Sequence, residues 1–159
     1  MILAGKKALV TGSSRGIGKA IAAKFLSEGA TVWGICTKPS KAKSELEELV
    51  KANNAAFYEL YADASDAASW SDAVKNALEQ SGGLDILVNN AGITRDGLSF
   101  RMKMEDWNAV INVNLTAAFV ACQLVASSTE NNRCGRSGSL NHRPTRSAAI
   151  LCQPILLRG

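Results

Sequence analysis

Short apolar runs and amphipathic stretches alternate along the first 125 residues. Four runs have the length and composition of buried β-strands, and they are "KALVTG", "ATVWGIC", "AAFYELYAD" and "LDILVNNAG". Four stretches place apolar residues at helical spacing, and they are "GIGKAIAAKFLSEG", "SKAKSELEELVKAN", "DAASWSDAVKNALEQSGG" and "MEDWNAVINVNLTAAFVACQLV". Ser40 is the expected N-cap of the second helix. The fourth helix is apolar on most sides, so we expect it to pack on two faces.

This alternation predicts an α/β fold in which right-handed crossovers build a mostly parallel sheet covered on both faces. After residue 125 the pattern fails, because "SGSLNH" contains one leucine and Pro154 interrupts "AAILCQPILL". We therefore predict the N-terminal half of a Rossmann-like, doubly wound parallel sheet over residues 1–125, with about four strands and flanking helices. Residues 126–159 are expected to form an irregular or out-of-frame tail, which leaves the fourth strand as an exposed edge.

The net charge of +4 belongs to this tail. Residues 1–125 hold 13 basic and 13 acidic side chains, whereas residues 126–159 hold five arginines and one acid. Scattered arginines without interleaved aromatic residues argue against a nucleic-acid partner. No signal peptide and no apolar run of membrane-spanning length are expected, which argues against a membrane partner. The four cysteines have no metal-type or CxxC spacing, so we predict reduced thiols, no metal and a cytoplasmic location.

A glycine-rich stretch, "TGSSRGIG", joins the first strand to the first helix. Glycines at 12, 16 and 18 let the backbone turn sharply and approach a diphosphate closely. The helix that follows directs its free N–H groups and the positive end of its dipole at the same anion. The alternative is a glycine-rich turn without a ligand, but its position between a strand and a helix favours a dinucleotide site.

The residues after the second strand indicate which dinucleotide would bind. The strand ends in "GICTKPS", which has no acid to hydrogen-bond a ribose 2′-hydroxyl. Thr37, Lys38 and Arg15 favour a 2′-phosphate instead, since a guanidinium can bind phosphate through two hydrogen bonds. The pattern therefore predicts NADP(H) rather than NAD, unless Arg15 and Lys38 are merely solvated.

Three motifs in order resemble the short-chain dehydrogenase/reductase family: "TGSSRGIG", "NNAG" at 89–92 and "NVNL" at 112–115. Within that family, "NNAGITRDGLSFRMKMEDWNAVINVNL" is similar to the 3-oxoacyl-[acyl-carrier-protein] reductases of fatty-acid synthesis. Acetoacetyl-CoA reductases share much of this stretch. The resemblance thus implies an NADPH-dependent oxidoreductase that reduces a 3-oxoacyl thioester, linked to acyl carrier protein, to the 3-hydroxyacyl thioester. Complete members of the family are homo-oligomers.

The resemblance also implies roles for individual residues. Those expected around the cofactor phosphates are Gly12, Ser13, Ser14, Arg15 and Ile17, and Thr37 is expected near the 2′-phosphate. It places Asp63 and Ala64 at the adenine, and Asn90, Ala91 and Gly92 along the nicotinamide ribose. Asn114 matches the asparagine of the family's catalytic tetrad, which helps to order a proton-relay water.

The other tetrad members are a serine and a Tyr-x-x-x-Lys pair, in which the ammonium lowers the pKa of the tyrosine that protonates the reduced carbonyl. Tyrosine occurs here only at 58 and 61, and no lysine follows Lys103. We therefore expect the 159-residue chain to be inactive alone. A reading-frame shift between Ala126 and Ser137 is the leading hypothesis. A diverged tail on a non-catalytic NADP-binding protein and a truncated chain are the alternatives.

Overall fold

Strands and helices alternate through the computed structural model, which describes residues 1–39, 43–53, 55–134 and 149–152. The strands are β1 (Lys7–Thr11), β2 (Thr31–Cys36), β3 (Ala56–Tyr61), β4 (Ile86–Asn89) and β5 (Ala149–Cys152). The α-helices are α1 (Gly16–Ser27), α2 (Lys43–Asn53), α3 (Ala67–Ser81), α4 (Met104–Ile111) and α5 (Ala117–Cys134). A 3-10 turn covers Ser99–Arg101, and a π-helical segment, Asn112–Thr116, joins α4 to α5. Ser40, the predicted N-cap, lies outside the described residues.

The strands form one parallel sheet in the order β3-β2-β1-β4-β5. In the centre, Ala8 of β1 pairs with Val32 on one side and with Ile86 on the other. The chain builds outward from β1 through β2 to β3 and then crosses back to β4, so the strand order reverses between β1 and β4. Doubly wound sheets bind ligands at this reversal. The predicted fold class is confirmed.

A fifth strand corrects the prediction that β4 is left as an exposed edge. Residues 149–152 pair in parallel with β4, from Ile86 opposite Ala149 to Asn89 opposite Cys152. The strand ends at Cys152, and Pro154 lies outside the described residues together with most of the predicted tail. Helix α5 also continues to Cys134, nine residues beyond the predicted end of the regular fold.

Both faces of the sheet are apolar, as expected for parallel strands that are covered by helices. Ala8 and Val10 point to the α1 and α2 side, where they belong to one buried cluster with Leu26 and Leu46. Leu9 points to the opposite side and belongs to the cluster that α3 and α5 cover. The two layers of helices hold the strand ends in a fixed arrangement.

The helix that runs from α4 into α5 packs on one face only in the described part of the chain. Ala117 and Ala121 are buried against the sheet, whereas Trp107 is 42% exposed and Phe119 is 64% exposed. Residues Met104–Ser128 are long and apolar enough to cross a membrane by length and composition, so the prediction that no run reaches that length is wrong. A single such helix is weak evidence of a membrane span, because the core helix of a globular fold passes the same test.

Candidate functional site

The predicted site residues converge on one edge of the sheet, where β1, β2, β3 and β4 end. Each group follows the carboxyl end of a different strand, and the groups are 12–17 after β1, Thr37 after β2, Asp63 and Ala64 after β3, and Asn90, Ala91 and Gly92 after β4. Sequence positions that lie about 80 residues apart thus become neighbours. The roles expected for these residues stay predictions, but their shared location is a property of the structure.

The turn after β1 requires glycine at its first position. Gly12 has a φ of +68°, and a Cβ added there would lie 2.9 Å from Asn90 Nδ2 and 3.0 Å from Ala91 Cα. Its N–H donates to the carbonyl oxygen of Ile35 over 2.8 Å, so the turn also extends the pairing with β2. A side chain at this position would separate the β1 turn from the residues that follow β4.

Gly18 brings the first helix against the same turn. A Cβ on Gly18 would overlap the carbonyl oxygen of Gly12 and the Asn90 side-chain nitrogen. Gly34 on β2 similarly leaves room for the hydroxyl of Ser13, which is 1% exposed. Close backbone contact is the role expected of glycines in a dinucleotide-binding turn.

The N-terminus of α1 faces outward beside this turn. Arg15 at the N-cap has extended backbone, and its side chain makes no capping hydrogen bond to the helix. Arg15, Gly16 and Ile17 are all exposed. The first N–H groups of a helix have no partner within it, so this end of α1 and the guanidinium of Arg15 suit a bound anion.

A hydrogen-bond network ties β1 to the end of β4. The buried hydroxyl of Thr11 donates to the Val88 carbonyl oxygen over 3.3 Å and accepts from the backbone N–H groups of Asn90 and Ala91, both at 3.0 Å. Asn90 Nδ2 donates in turn to the carbonyl oxygens of Thr11 at 2.9 Å and Gly12 at 3.1 Å. Thr11 has no role in the motifs as interpreted from the sequence, although a buried threonine that ends an apolar strand could have indicated one.

Asn114 holds the chain that follows Gly92. Its Oδ1 accepts from the N–H of Ile93 at 2.8 Å, and its Nδ2 donates to the carbonyl oxygen of Ile93 at 3.0 Å. A Cβ on Gly92 would lie 3.3 Å from Asn114 Oδ1. Asn114 lies in the π-helical segment, a type of helix irregularity that is frequent at functional sites. Ile93 was not predicted from the sequence, because only its backbone takes part.

At the other side of the edge, Asp63 organises the turn after β3. Its Oδ1 accepts from both the N–H and the hydroxyl of Ser65, each at 2.8 Å. These hydrogen bonds lower the pKa of the Asp63 carboxyl below its usual value, and the bond from the Ser65 backbone N–H has the largest effect. Ala64 packs against the buried cluster under α3, and Thr37 is exposed.

An acidic side chain outside the motifs lies beside Cys36, the residue that precedes Thr37. Glu59 accepts a 2.6 Å hydrogen bond from the Tyr61 hydroxyl and lies 3.6 Å from Cys36 Sγ. Burial, followed by the Glu59 charge, raises the pKa of the Cys36 thiol to about 12. The hydrogen bond to Glu59 raises the pKa of Tyr61 to about 12 as well. The alternation of "FYELY" places Glu59 on the same face as Phe57, which could have drawn attention to it.

These features together fit a ligand that carries a diphosphate. The turn allows close backbone approach at Gly12, and the helix N-terminus and Arg15 supply positive charge. The Thr11–Asn90 network and Asn114 fix the two segments that border the turn. No group in this arrangement donates a proton by itself, so its chemistry is binding and orientation.

A family model described as short chain dehydrogenase matches residues 6–137. The chain is 43% identical over 136 residues to the 3-oxoacyl-[acyl-carrier-protein] reductase FabG of Salmonella typhimurium, a match that covers 86% of this chain and 54% of the relative. The FabG of Escherichia coli is 42% identical over 132 residues, covering 83% of this chain and 52% of the relative. The chain therefore spans about half the length of the curated relatives it matches.

Solved structures of similar fold include two with nucleotides in their names. A blue fluorescent protein from a metagenomic library, in complex with NADPH, has a TM-score of 0.74 and 35% identity, covering 80% of this chain and 53% of that one. A short chain dehydrogenase of Burkholderia cenocepacia, in complex with NADP, has a TM-score of 0.69 and 40% identity, covering 80% and 52% respectively. The motifs, the sheet order and both comparisons agree, and the chain belongs to the short-chain dehydrogenase family.

Proposed function

We propose that this chain forms the NADP(H)-binding part of a short-chain reductase. The observation that carries the proposal is the cradle at the carboxyl edge of the sheet, in which a Cβ at Gly12 or Gly18 would fill the space beside Asn90. Two similar solved structures, named as complexes with NADPH and NADP, support the identity of the nucleotide.

The proposed roles follow the positions of the residues around this edge. The backbone from Gly12 to Arg15, with Ile17 on the first turn of α1, holds the diphosphate. Thr37 and the guanidinium of Arg15 bind the 2′-phosphate, and Asp63 and Ala64 border the adenine. The residues expected along the nicotinamide ribose are Asn90, Ala91 and Gly92. Asn114 keeps that segment in place through Ile93 and is the member of the proton-relay machinery that this chain supplies.

The substrate that we propose for the complete enzyme is a 3-oxoacyl thioester carried on acyl carrier protein. Several relatives at 41–43% identity are named for this substrate, which supports the assignment. A 3-oxoacyl thioester on coenzyme A, as in acetoacetyl-CoA reductases, is the alternative, since both have the same reacting ketone. The distinction depends on the carrier and not on the residues described at the cofactor edge.

When bound, the nicotinamide supplies the hydride for ketone reduction. This chain's residues bind and orient it, but the 159 residues contain no Tyr-x-x-x-Lys to protonate the alkoxide that develops. We therefore propose that the chain alone binds NADPH and does not turn over a ketone, which is also the behaviour of a non-catalytic NADP-binding protein.

Two measurements on a preparation of verified mass test these proposals. NADPH should raise the midpoint of thermal unfolding in a concentration-dependent way, because a ligand that binds only the folded state stabilises it. Arg15→Ala should weaken NADPH binding about tenfold and NADH binding less than about twofold. The matched control Arg101→Ala, at an exposed arginine after β4, should change neither.

The second measurement is NADPH oxidation with acetoacetyl-CoA. We expect no ketone-dependent loss of absorbance at 340 nm above the rate without protein. Steady ketone-dependent oxidation would contradict the proposed inactivity, and failure of both nucleotides to bind would contradict the proposed function itself.

A further inference from the structure

Glu59 places a carboxylate at the end of β2, although β2 itself ends without an acid. Strands β2 and β3 pair with Gly34 opposite Glu59 and Cys36 opposite Tyr61. From its own strand, Glu59 reaches diagonally toward the last residue of β2, so that Oε1 lies 3.6 Å from Cys36 Sγ. Thr37, the next residue along the chain, is the one expected at the 2′-phosphate.

The carboxylate also lies on the face of the sheet that carries the glycine-rich turn. Side chains two residues apart on a strand share a face, so Glu59 points to the same side as Phe57. A Cβ added to Gly34 would meet the Phe57 ring and the hydroxyl of Ser13, so both lie on that side of β2. Ser13 belongs to the turn that follows β1, so this turn and Glu59 border the same corner of the sheet edge.

A hydrogen bond within β3 fixes the orientation of the carboxylate. Glu59 Oε2 accepts from the Tyr61 hydroxyl at 2.6 Å, and Tyr61 is the last residue of β3. The acceptor atoms are therefore held toward the strand end and not toward the opposite end of the sheet. The side chain is half-buried, so its charge is screened less completely than that of a fully solvated glutamate.

An acid at the end of the second strand has a known physical effect on nucleotide choice. It hydrogen-bonds the ribose 2′-hydroxyl and repels a 2′-phosphate. Resting on the proposed function, we propose that Glu59 determines nucleotide preference by supplying from β3 the negative charge that β2 lacks. Arg15, Thr37 and Lys38 favour NADPH at this corner, and Glu59 opposes them, so the preference for NADPH over NADH is smaller than those residues would produce alone.

Neutralising Glu59 tests this inference. In Glu59→Gln, the dissociation constant for NADPH should fall about three- to tenfold while that for NADH changes less than about twofold, because only NADPH carries the additional phosphate charge. Binding is measured by titrating the full chain with each nucleotide and following tryptophan fluorescence, so no catalytic turnover is needed.

Three further variants separate charge from structure. Glu59→Thr also removes the charge, and threonine suits a β-strand. This variant is used in place of Glu59→Gln if Glu59→Gln does not fold. Tyr61→Phe keeps the carboxylate but removes the hydrogen bond that orients it, so the ratio of NADPH to NADH affinity should move in the same direction as in the neutral variants, but less far. Glu79→Gln neutralises an exposed glutamate in the last turn of α3, near the opposite end of the sheet, and should leave both affinities unchanged.

The outcomes distinguish this inference from the proposed function. If the neutral variants show the same affinity ratio as Glu79→Gln while both nucleotides bind, the role of Glu59 is overturned and the proposed function stands. If wild type and all variants bind neither nucleotide, both fall together. The inference is supported if the ratio of NADPH to NADH affinity rises in Glu59→Gln and Glu59→Thr but not in Glu79→Gln.

Discussion

Gly12 resists replacement at the candidate site for two independent reasons. Its φ of +68° disfavours any L side chain, and its Cβ position already lies within 3.0 Å of Asn90 and Ala91. The glycine could be predicted from the motif, because a sharp turn at a strand end is a local requirement. The identity of the opposing atoms could not, since Asn90 lies 78 residues away.

Gly12→Ala should therefore weaken NADPH binding at least about tenfold and lower the free energy of unfolding by about 1–3 kcal/mol. The matched control is Gly82→Ala at the end of α3, where φ is +63° and no atom lies within 4 Å of the added Cβ. That control carries the same backbone strain without the contacts, so it should cost about 1 kcal/mol and leave NADPH affinity unchanged. Equal affinities in the two variants, measured by fluorescence titration, would show that the contacts do not matter.

Asp63 supplies a prediction on pH dependence. Ser65 lowers its pKa from the ordinary 3.8 in the folded state, so the folded state binds this proton less readily than the unfolded state. The stability that Asp63 contributes is complete above the ordinary value and is lost as the pH falls through the lower, folded-state pKa. Ser65→Ala removes the hydrogen bond from the Ser65 hydroxyl and keeps the one from its backbone N–H. The pKa of Asp63, measured by carboxyl carbon NMR, should therefore rise part of the way to its ordinary value. An identical midpoint in both proteins would contradict the assigned cause.

At the scale of elements, the π-helical segment between α4 and α5 determines where Asn114 points. The periodicity of the sequence predicted one continuous helix, because a single widened turn hardly disturbs an apolar repeat. Only the folded chain shows that both amide atoms of Asn114 bind the backbone of Ile93. The side chain thus links this helix to the segment that follows β4.

Asn114→Ala should release that segment. Both hydrogen bonds are lost and the partly buried backbone groups of Ile93 are left without them, which costs about 1–3 kcal/mol. We expect the Ile93 amide to exchange its hydrogen at least about tenfold faster in native-state exchange measured by NMR. Asn108→Ala, at an exposed asparagine on α4, is the control and should leave the exchange rate unchanged. If the Ile93 amide exchanges at the same rate in Asn114→Ala as in wild type, other contacts hold the segment that follows β4.

At the scale of the whole molecule, an apolar stripe remains uncovered along α4 and α5 in the described part of the chain. It contains Met104, Trp107, Leu115 and Phe119, which are 42–64% exposed. The helix was expected to pack on two faces, and one of these faces has its partner in the sheet. Large exposed apolar patches promote association or aggregation in an isolated protein.

Replacing Trp107 and Phe119 together by glutamine should therefore raise the soluble monomer fraction at least about twofold and reduce the binding of a hydrophobic dye. Size-exclusion chromatography with light scattering measures the first quantity, and dye fluorescence measures the second. Ile2→Gln, at a residue 87% exposed outside the stripe, is the control. If the control has the same effect as the double variant, the stripe is not the cause.

The tail also yields a prediction for the molecule as a whole. Lysine disappears after Lys103, five arginines follow Ala126, and the family match stops at residue 137. We expect the parent nucleotide sequence beyond codons 126–137 to encode, in another frame, an apolar strand followed by Tyr-x-x-x-Lys. Translating the other two frames provides the measurement, and the absence of this pattern from both would refute the frameshift hypothesis. Strand β5 supplies β4 with a neighbour but contains neither residue of that pair.

The sequence by itself determined the order and type of the elements in residues 1–125, the glycine-rich turn and the family. These follow from short-range physics, since apolar periodicity and backbone freedom are set by residues close together in the chain. Only the tertiary structure decided that β5 lies beside β4, that Thr11 and Asn90 bind each other, and that Glu59 reaches the end of β2. Those contacts depend on strand register and on which face each side chain takes, and register is set when distant segments pack together.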